Sequence, residues 1–443
     1  MKMSLPIWSS PKLTPISLFT RRNALRTTCS ISESMKKKVI VISGPTGAGK
    51  SRLALELAKR LDGEIISADS VQVYRGLDVG SAKPSASERN EVPHHLLDIL
   101  HPYEDYSAGQ FFEDARKATQ SVLEKGRVPI VTGGTGLYLR WYLYGKPDVP
   151  KASSEITSKV FSELTELQKN KQWDAAVDLV VKAGDPKAQF FSTNNWYRLR
   201  RSLEIIRSSG SPPSAFSVPY DSFRQGIDPS LTDTSVANHS YDENNSHHHP
   251  NNMDYDFICL FLTVQRVDLY RAIDLRCENM LMETEGLLSE ASWLLDIGLR
   301  PDMNSATRSI GYRHAMEYLL SCRVQGGSST EDLYAFLSQF QKASRNFAKR
   351  QITWFRNEQI YHWLDASKPF EEITDFICSA YHTETRRLAV PQSLQMKKEI
   401  TQRKEAYELK SYQAQVKLFS HDEDCNHVLD WIRSTQHQPA MAV

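Results

Sequence analysis

One stretch near the N-terminus constrains this chain more than any other. Val39-Ile40-Val41-Ile42 is an apolar β-branched run, and it leads into Ser43-Gly44-Pro45-Thr46-Gly47-Ala48-Gly49-Lys50-Ser51. Leu53, Ala54, Leu55, Leu57 and Ala58 continue at helical spacing. Strand, Gly-x-x-x-x-Gly-Lys-Ser loop and helix, in that order, are what a phosphate-binding loop requires. A mere glycine-rich turn would match neither the spacing nor the context. Gly44, Pro45, Thr46, Gly47, Ala48 and Gly49 can turn backbone amides onto a polyphosphate at the positive end of the following helix. Lys50 adds a point charge, and the Ser51 hydroxyl can hold Mg²⁺. The expected architecture is therefore α/β, a P-loop-type parallel sheet flanked by helices.

At 443 residues the chain exceeds one ordinary core. Its net charge of +1 hides a segregation, with a basic leader, a basic 342–356 segment and an acidic, polar 241–256 region. Local patches, not the total, steer a polyanion. The six cysteines contain no Cys-x-x-Cys pair, which suits a reducing compartment. No apolar run approaches membrane-spanning length, so no membrane partner is expected.

Residues 1–34 carry Lys2, Lys12, Arg21, Arg22 and Arg26, many Ser and Thr, and one acid, Glu33. That composition predicts an organellar transit peptide, and the hydroxyl content favours a plastid over a mitochondrion. Glu64-Ile65-Ile66-Ser67 reads as a strand, and Asp69-Ser70-Val71-Gln72 follows where a parallel sheet places its ligand crevice. Asp69 is a turn cap, a general base or a metal-linked acid. His94 and His95 read as packing residues. Residues 107–125 predict an amphipathic helix, and Val128-Pro129-Ile130-Val131 is a buried strand. It runs into Gly133-Gly134-Thr135-Gly136, a second glycine-rich mouth on the same sheet edge.

Residues 153–183 read as helices, then Trp196-Tyr197-Arg198-Leu199-Arg200-Arg201 interleaves cations with aromatics. This suits phosphate contacts and base stacking, or equally a solvated basic helix face. The 210–255 stretch is too polar to offset its ordering entropy and is expected to be a disordered insertion. Phe257 to Leu262 should be a central strand. Arg266, Arg271 and Arg276 follow on a helical segment, where successive side chains turn by about 140° and form no single stripe. Residues 331–357 predict a long helix whose Lys342, Arg345, Lys349, Arg350 and Arg356 suit a polyanion. Residues 390–419 read as a further polar helix.

These blocks resemble the tRNA dimethylallyltransferases, also called tRNA isopentenyltransferases, over about residues 38–365. The resemblance rests on the 44–51 loop, on 69–74, on Ala82-Lys83-Pro84, on 93–96, on 133–138 and on 348–355, all in the family's order. It implies transfer of a dimethylallyl group from dimethylallyl diphosphate to N6 of adenosine 37 in the tRNA anticodon stem-loop. It also implies Mg²⁺, a monomer and a helical insertion that grips tRNA. By the same match Asp69 is the base, Lys50 holds the leaving diphosphate, and Thr135 lies near the adenosine. Arg271 is the expected diphosphate arginine, with Arg266 and Arg276 as alternatives. Asp69, Ser70, Val71, Gln72, Tyr197, Arg198, Leu199, Arg200, Arg201, Arg345 and Lys349 are the expected tRNA contacts.

The implied division is a leader (1–34), a first part of the core (35–144), the helical insertion (145–209) and the disordered segment (210–255). Core completion with a tRNA-binding helical part (256–365) and a C-terminal helical extension (366–443) follow. The tail offers only Cys425 with His421, His427 and His437, so the zinc finger of many eukaryotic members is not expected. The rivals are an adenylate isopentenyltransferase acting on free AMP, ADP or ATP in cytokinin synthesis, a small-molecule kinase, and a non-catalytic RNA binder.

Overall fold

Val39 to Ile42 are wholly buried, and their alternation divides the molecule. Val39 and Val41 join one hydrophobic cluster while Ile40 and Ile42 join another, so the strand has a core on each face. A strand apolar on both sides belongs in the middle of a parallel sheet covered by helices. The computed structural model, which describes residues 36–221, 253–283, 286–383, 388–398 and 403–436, has that arrangement.

The strands are β1 (Lys38–Ser43), β2 (Gly63–Ser67), β3 (His94–His95), β4 (Val128–Gly133), β5 (Asp256–Thr263) and β6 (His362–Asp365). They form one sheet in the order β3-β2-β4-β1-β5-β6, every neighbouring pair parallel. The register aligns Ser43 with Gly133 and with Phe261. The ends of the central strands therefore meet at one edge, where the order reverses and an open sheet presents its crevice.

Helices α1 (Lys50–Leu61), α2 (Ala86–Glu91), α3 (Ala108–Glu124) and α4 (Gly136–Tyr144) alternate with the early strands. Ser107 caps α3 in a reciprocal pair with Gln110, and Phe111, Ala115, Thr119 and Val122 form its buried stripe. Then come α5 (Ser154–Lys169), α6 (Trp173–Ala183) and α7 (Trp196–Ser209), which bury a small core of their own around Val160, Leu164, Val180, Trp196, Leu199 and Leu203. After β5 the chain continues as α8 (Arg266–Met282), α9 (Leu287–Asp296), α10 (Tyr312–Gln325) and α11 (Thr330–Arg356). Beyond β6 lie α12 (Phe370–His382), α13 (Arg403–Lys410) and α14 (Asp422–Thr435).

Two expectations change. The 390–419 stretch is not one helix. Pro391 opens a turn, Gln395 bridges to Leu364 on β6, and only α13 is helical there. The edges of the 210–255 segment are also packed: Tyr220 is buried under Arg140, whose guanidinium lies 4.0 Å from its ring centroid. Residues 222–252, like the leader, lie outside the described residues. No described helix is long and apolar enough to cross a membrane.

Candidate functional site

The phosphate loop connects β1 to α1, and Gly49 at the helix N-cap takes φ 84°, a conformation costly for any residue with a side chain. No side chain caps α1, so its first amides remain open toward the loop. Lys50 folds back and donates from Nζ to Pro45 O at 2.8 Å. Burial, and then the Arg276 guanidinium, push the Lys50 ammonium down to about 8, and Asp69 partly opposes them.

Arg276 reaches the loop from α8, donating from Nη1 to Thr46 Oγ1 at 3.0 Å. Burial lowers its pKa too, with Cys277 and Asp69 acting in the opposite direction. The expected arginine, Arg271, is turned to solvent instead. Its side chain is 61% exposed and pairs with Asp268 across one helical turn, at 2.9 Å. The burial of Leu269, Ile273 and Cys277 fixes the rotation of α8, and that rotation turns 276 inward and 271 to solvent. Two cations, Lys50 and Arg276, thus share one partly desolvated hollow with the Asp69 carboxylate.

Asp69 sits just beyond β2. Asp69 Oδ1 accepts from Val71 N at 2.8 Å and Gln72 N at 3.4 Å, so it does hold a turn. Its Oδ2 has no hydrogen-bond partner among the described residues. Turn cap and available base are therefore compatible. Thr135, at the N-cap of α4, accepts from Ser70 N at 3.2 Å and ties the 69–72 turn to the second glycine mouth. Gln72 is held by Ser67 Oγ and by the carbonyls of Ser81 and Ala82. Ser51 is exposed on the first turn of α1.

Gln351, on α11, is the residue that sequence reasoning missed. Its Oε1 accepts from Thr46 N at 2.9 Å and its Nε2 donates to Gly134 O at 3.0 Å, bridging both glycine loops. A Cβ on Gly134 would stand 2.2 Å from that amide, so a side chain there would displace the bridge. The available signal was a polar residue on the buried stripe of α11, beside Ala348 and Ile352. Glu290 is a second such residue: its carboxylate accepts from Asp78 N, Val79 N, Gly80 N and Tyr312 OH at 2.6–3.0 Å, holding the loop that follows Asp69. Lys83 is a buried strut of that loop, bonded to Tyr74 O, Asp78 and Asp98. His95 pairs with the buried Glu64 and His94 with Val92 O, as packing residues do.

The expected nucleic-acid contacts divide. Leu199 is fully buried in the insertion core, away from the surface a nucleic acid would meet. Arg200 pairs with Asp105 at 3.2 Å, and Arg201 with Glu204 at 3.2 Å. Tyr197 is half-buried, its phenol pushed up by burial. Tyr138 lies within electrostatic reach of Asp69, Tyr74 and Tyr197, which puts this end of the insertion near the site. Arg198 is exposed and stacks 4.5 Å from the Phe191 ring centroid. Arg345 is not a free cation: it pairs with the buried Asp274, because it lies on the inward side of α11. Lys342, Lys349 and Arg350 are exposed on α11 without an ion pair among the described residues.

A family model described as IPP transferase matches residues 72–358, and one described as isopentenyl transferase matches residues 37–98. The tRNA dimethylallyltransferase 9 of Arabidopsis thaliana is 58% identical over 443 residues, covering 96% of this chain and 94% of the relative. The tRNA dimethylallyltransferase of Protochlamydia amoebophila is 38% identical over 348 residues, covering 78% and 89%. Among solved structures, the full-length tRNA isopentenylpyrophosphate transferase of Bacillus halodurans aligns with TM-score 0.50 and 31% identity over 78% of this chain and 97% of that one. A eukaryotic dimethylallyltransferase acting on tRNA aligns with TM-score 0.52 and 25% identity over 74% of each chain.

Proposed function

The chain belongs to the IPP transferase family of tRNA dimethylallyltransferases, which makes its reaction the transfer of a dimethylallyl group to an adenosine of tRNA, and from that premise we propose how its residues divide the chemistry. The diphosphate of dimethylallyl diphosphate occupies the 44–51 loop. The acceptor is N6 of adenosine 37, beside the anticodon of tRNAs that read codons beginning with U. A new bond forms between N6 and the allylic carbon, the carbon–oxygen bond breaks, and pyrophosphate departs with the electron pair.

Charge builds on the leaving diphosphate, so preformed positive groups there lower the barrier. The observation that carries this reading is the pairing of Lys50 with Arg276, two cations drawn together where only an anion would relieve them. Asp69 takes the proton that N6 loses, through the carboxylate oxygen its turn leaves unbonded. Thr135 and Gln351 hold the acceptor side of the mouth against the phosphate side. An anticodon loop can extrude a nucleotide into such a crevice at small cost.

Mg²⁺ fits the donor set. The Ser51 hydroxyl makes no hydrogen bond among the described residues, and one protein oxygen beside substrate phosphates is a setting this ion accepts. When bound, it would neutralise charge on the diphosphate. Contact with tRNA falls to Arg198 and Tyr197 on the insertion and to Lys342, Lys349 and Arg350 on α11. The composition of residues 1–34 supports a plastid leader, and import of a 1–34 fusion into isolated plastids but not mitochondria tests it.

The deciding assay offers labelled dimethylallyl diphosphate to tRNA and to AMP separately, with the native chain and Asp69→Asn. Label is expected in tRNA, and the variant should lose ~10²–10⁴-fold in single-turnover rate at nearly unchanged affinities. Label in AMP alone would replace this reading by the adenylate-prenylating one. Near-normal chemistry in Asp69→Asn would remove that residue as the base.

A further inference from the structure

Helix α8 lies between the phosphate loop and a part of the chain the reaction does not use. Toward the loop it presents Arg276, and also Ile273, so close that a Cβ on Gly47 would come within 3.1 Å of its Cγ1. The opposite face carries Asp274 and Glu278, which are 1% and 0% exposed. They stand one helical turn apart, each rotated by about 200° from Arg276. Buried carboxylates need partners. Asp274 accepts from Arg345 and, at 2.7 Å, from the Tyr412 hydroxyl. Glu278 Oε2 accepts from the backbone amides of Lys417 at 2.8 Å and Leu418 at 2.6 Å.

Tyr412, Lys417 and Leu418 belong to the C-terminal extension, between α13 and α14. The same segment is pinned on its far side, where Phe419 is 1% exposed and its carbonyl accepts from the Tyr334 hydroxyl at 2.8 Å. The Tyr412 ring also meets Tyr270 of α8 edge-on, with centroids 5.5 Å apart. A backbone strap thus crosses behind α8 and holds it by two carboxylates placed on either side of Arg276 in sequence. Any shift of α8 away from the strap moves the guanidinium relative to Thr46.

We propose that Asp274 and Glu278, with the strap at residues 412–418, are positioning elements for Arg276, so that the C-terminal extension sets affinity for the diphosphate. This rests on the assignment of Arg276 to the diphosphate. Positioning within a fraction of an ångström governs such contacts, because a misplaced charge loses its aligned hydrogen bonds first. The strap carries no group to the reacting atoms.

The test uses the full chain and dimethylallyl diphosphate without tRNA, so that binding is read at equilibrium. Glu278→Ala leaves both strap amides unpaired, and affinity should fall ~10-fold. Glu278→Gln keeps an acceptor oxygen and should recover to within ~3-fold of the native value, and Tyr412→Phe should cost ~3-fold. Combined with Arg276→Ala, neither strap variant should weaken binding further, because each acts through the residue already removed. Affinity for tRNA should stay unchanged in all of them. If Arg276→Ala itself binds normally, the diphosphate assignment fails. If Arg276→Ala weakens binding while the strap variants do not, or if the effects add, the positioning role fails. Should Glu278→Ala not fold, the Tyr412→Phe and Arg276→Ala cycle decides alone.

Discussion

Lys50 gives the site a pH dependence that can be worked out in advance. In the free protein burial and Arg276 hold its ammonium at about 8, against an ordinary value of 10.5. A bound diphosphate replaces lost solvation with opposite charge and raises the bound-state pKa well above the free one. Binding is then coupled to proton uptake wherever the free protein has lost the proton and the complex keeps it. Affinity is complete below about pH 8 and declines above it. A free pKa of about 8 makes affinity ~10-fold weaker at pH 9 and ~100-fold weaker at pH 10 than at neutrality.

Arg276 and Asp69 face Lys50, and the arginine keeps its charge throughout that window. The assay is titration calorimetry with dimethylallyl diphosphate in pairs of buffers of different ionisation enthalpy, without tRNA. Near pH 9 about 0.9 proton should be taken up for each ligand bound. Lys50→Arg carries its charge throughout and should bind with a flat profile over the same range. A native profile that is flat between pH 7 and 9.5 would refute the reasoning. So would a Lys50→Arg profile that falls as steeply as the native one.

Arg276→Ala should weaken dimethylallyl diphosphate binding by ~10²-fold, the scale of a lost charge-assisted contact, while Arg271→Ala should change it less than ~2-fold. Parallel binding curves for the two variants check this. Lys349→Ala should lower the salt dependence of tRNA binding by about one phosphate contact. Arg345→Ala should instead cost about 3 kcal/mol of stability by stranding Asp274, read as a denaturation midpoint, with the tRNA salt slope unchanged.

The parts of this molecule legible in the sequence are those specified locally. The 39–51 stretch announces a buried strand, a loop and a helix because each is written in neighbouring residues. Ser107 and Gln110 likewise mark the start of α3. Arg271 was preferred to Arg276 because nothing local says which way a helix is turned. That rotation comes from how Leu269, Ile273 and Cys277 pack against elements far away in the chain. Gln351 meets Thr46 across 305 positions, so its bridging amide is invisible to any window of sequence. Arg345 and Lys349 looked equivalent as cations on one helix. Only the packing of α11 on α8 buries one and leaves the other in solvent.

The same distinction bears on why the site holds its shape. Lys50 and Arg276 repel one another in a hollow that has little water to screen them. Asp274 and Glu278 tie the reverse face of α8 to the strap, and any movement that separates the two leaves buried carboxylates unpaired. The helix that carries Arg276 is thus fixed on its reverse face as well as at the loop. On the proposed assignment the diphosphate meets an arginine already in place rather than one it must recruit. In an enzyme whose leaving group is that anion, the gain lies in a positive site that does not reorganise while charge develops.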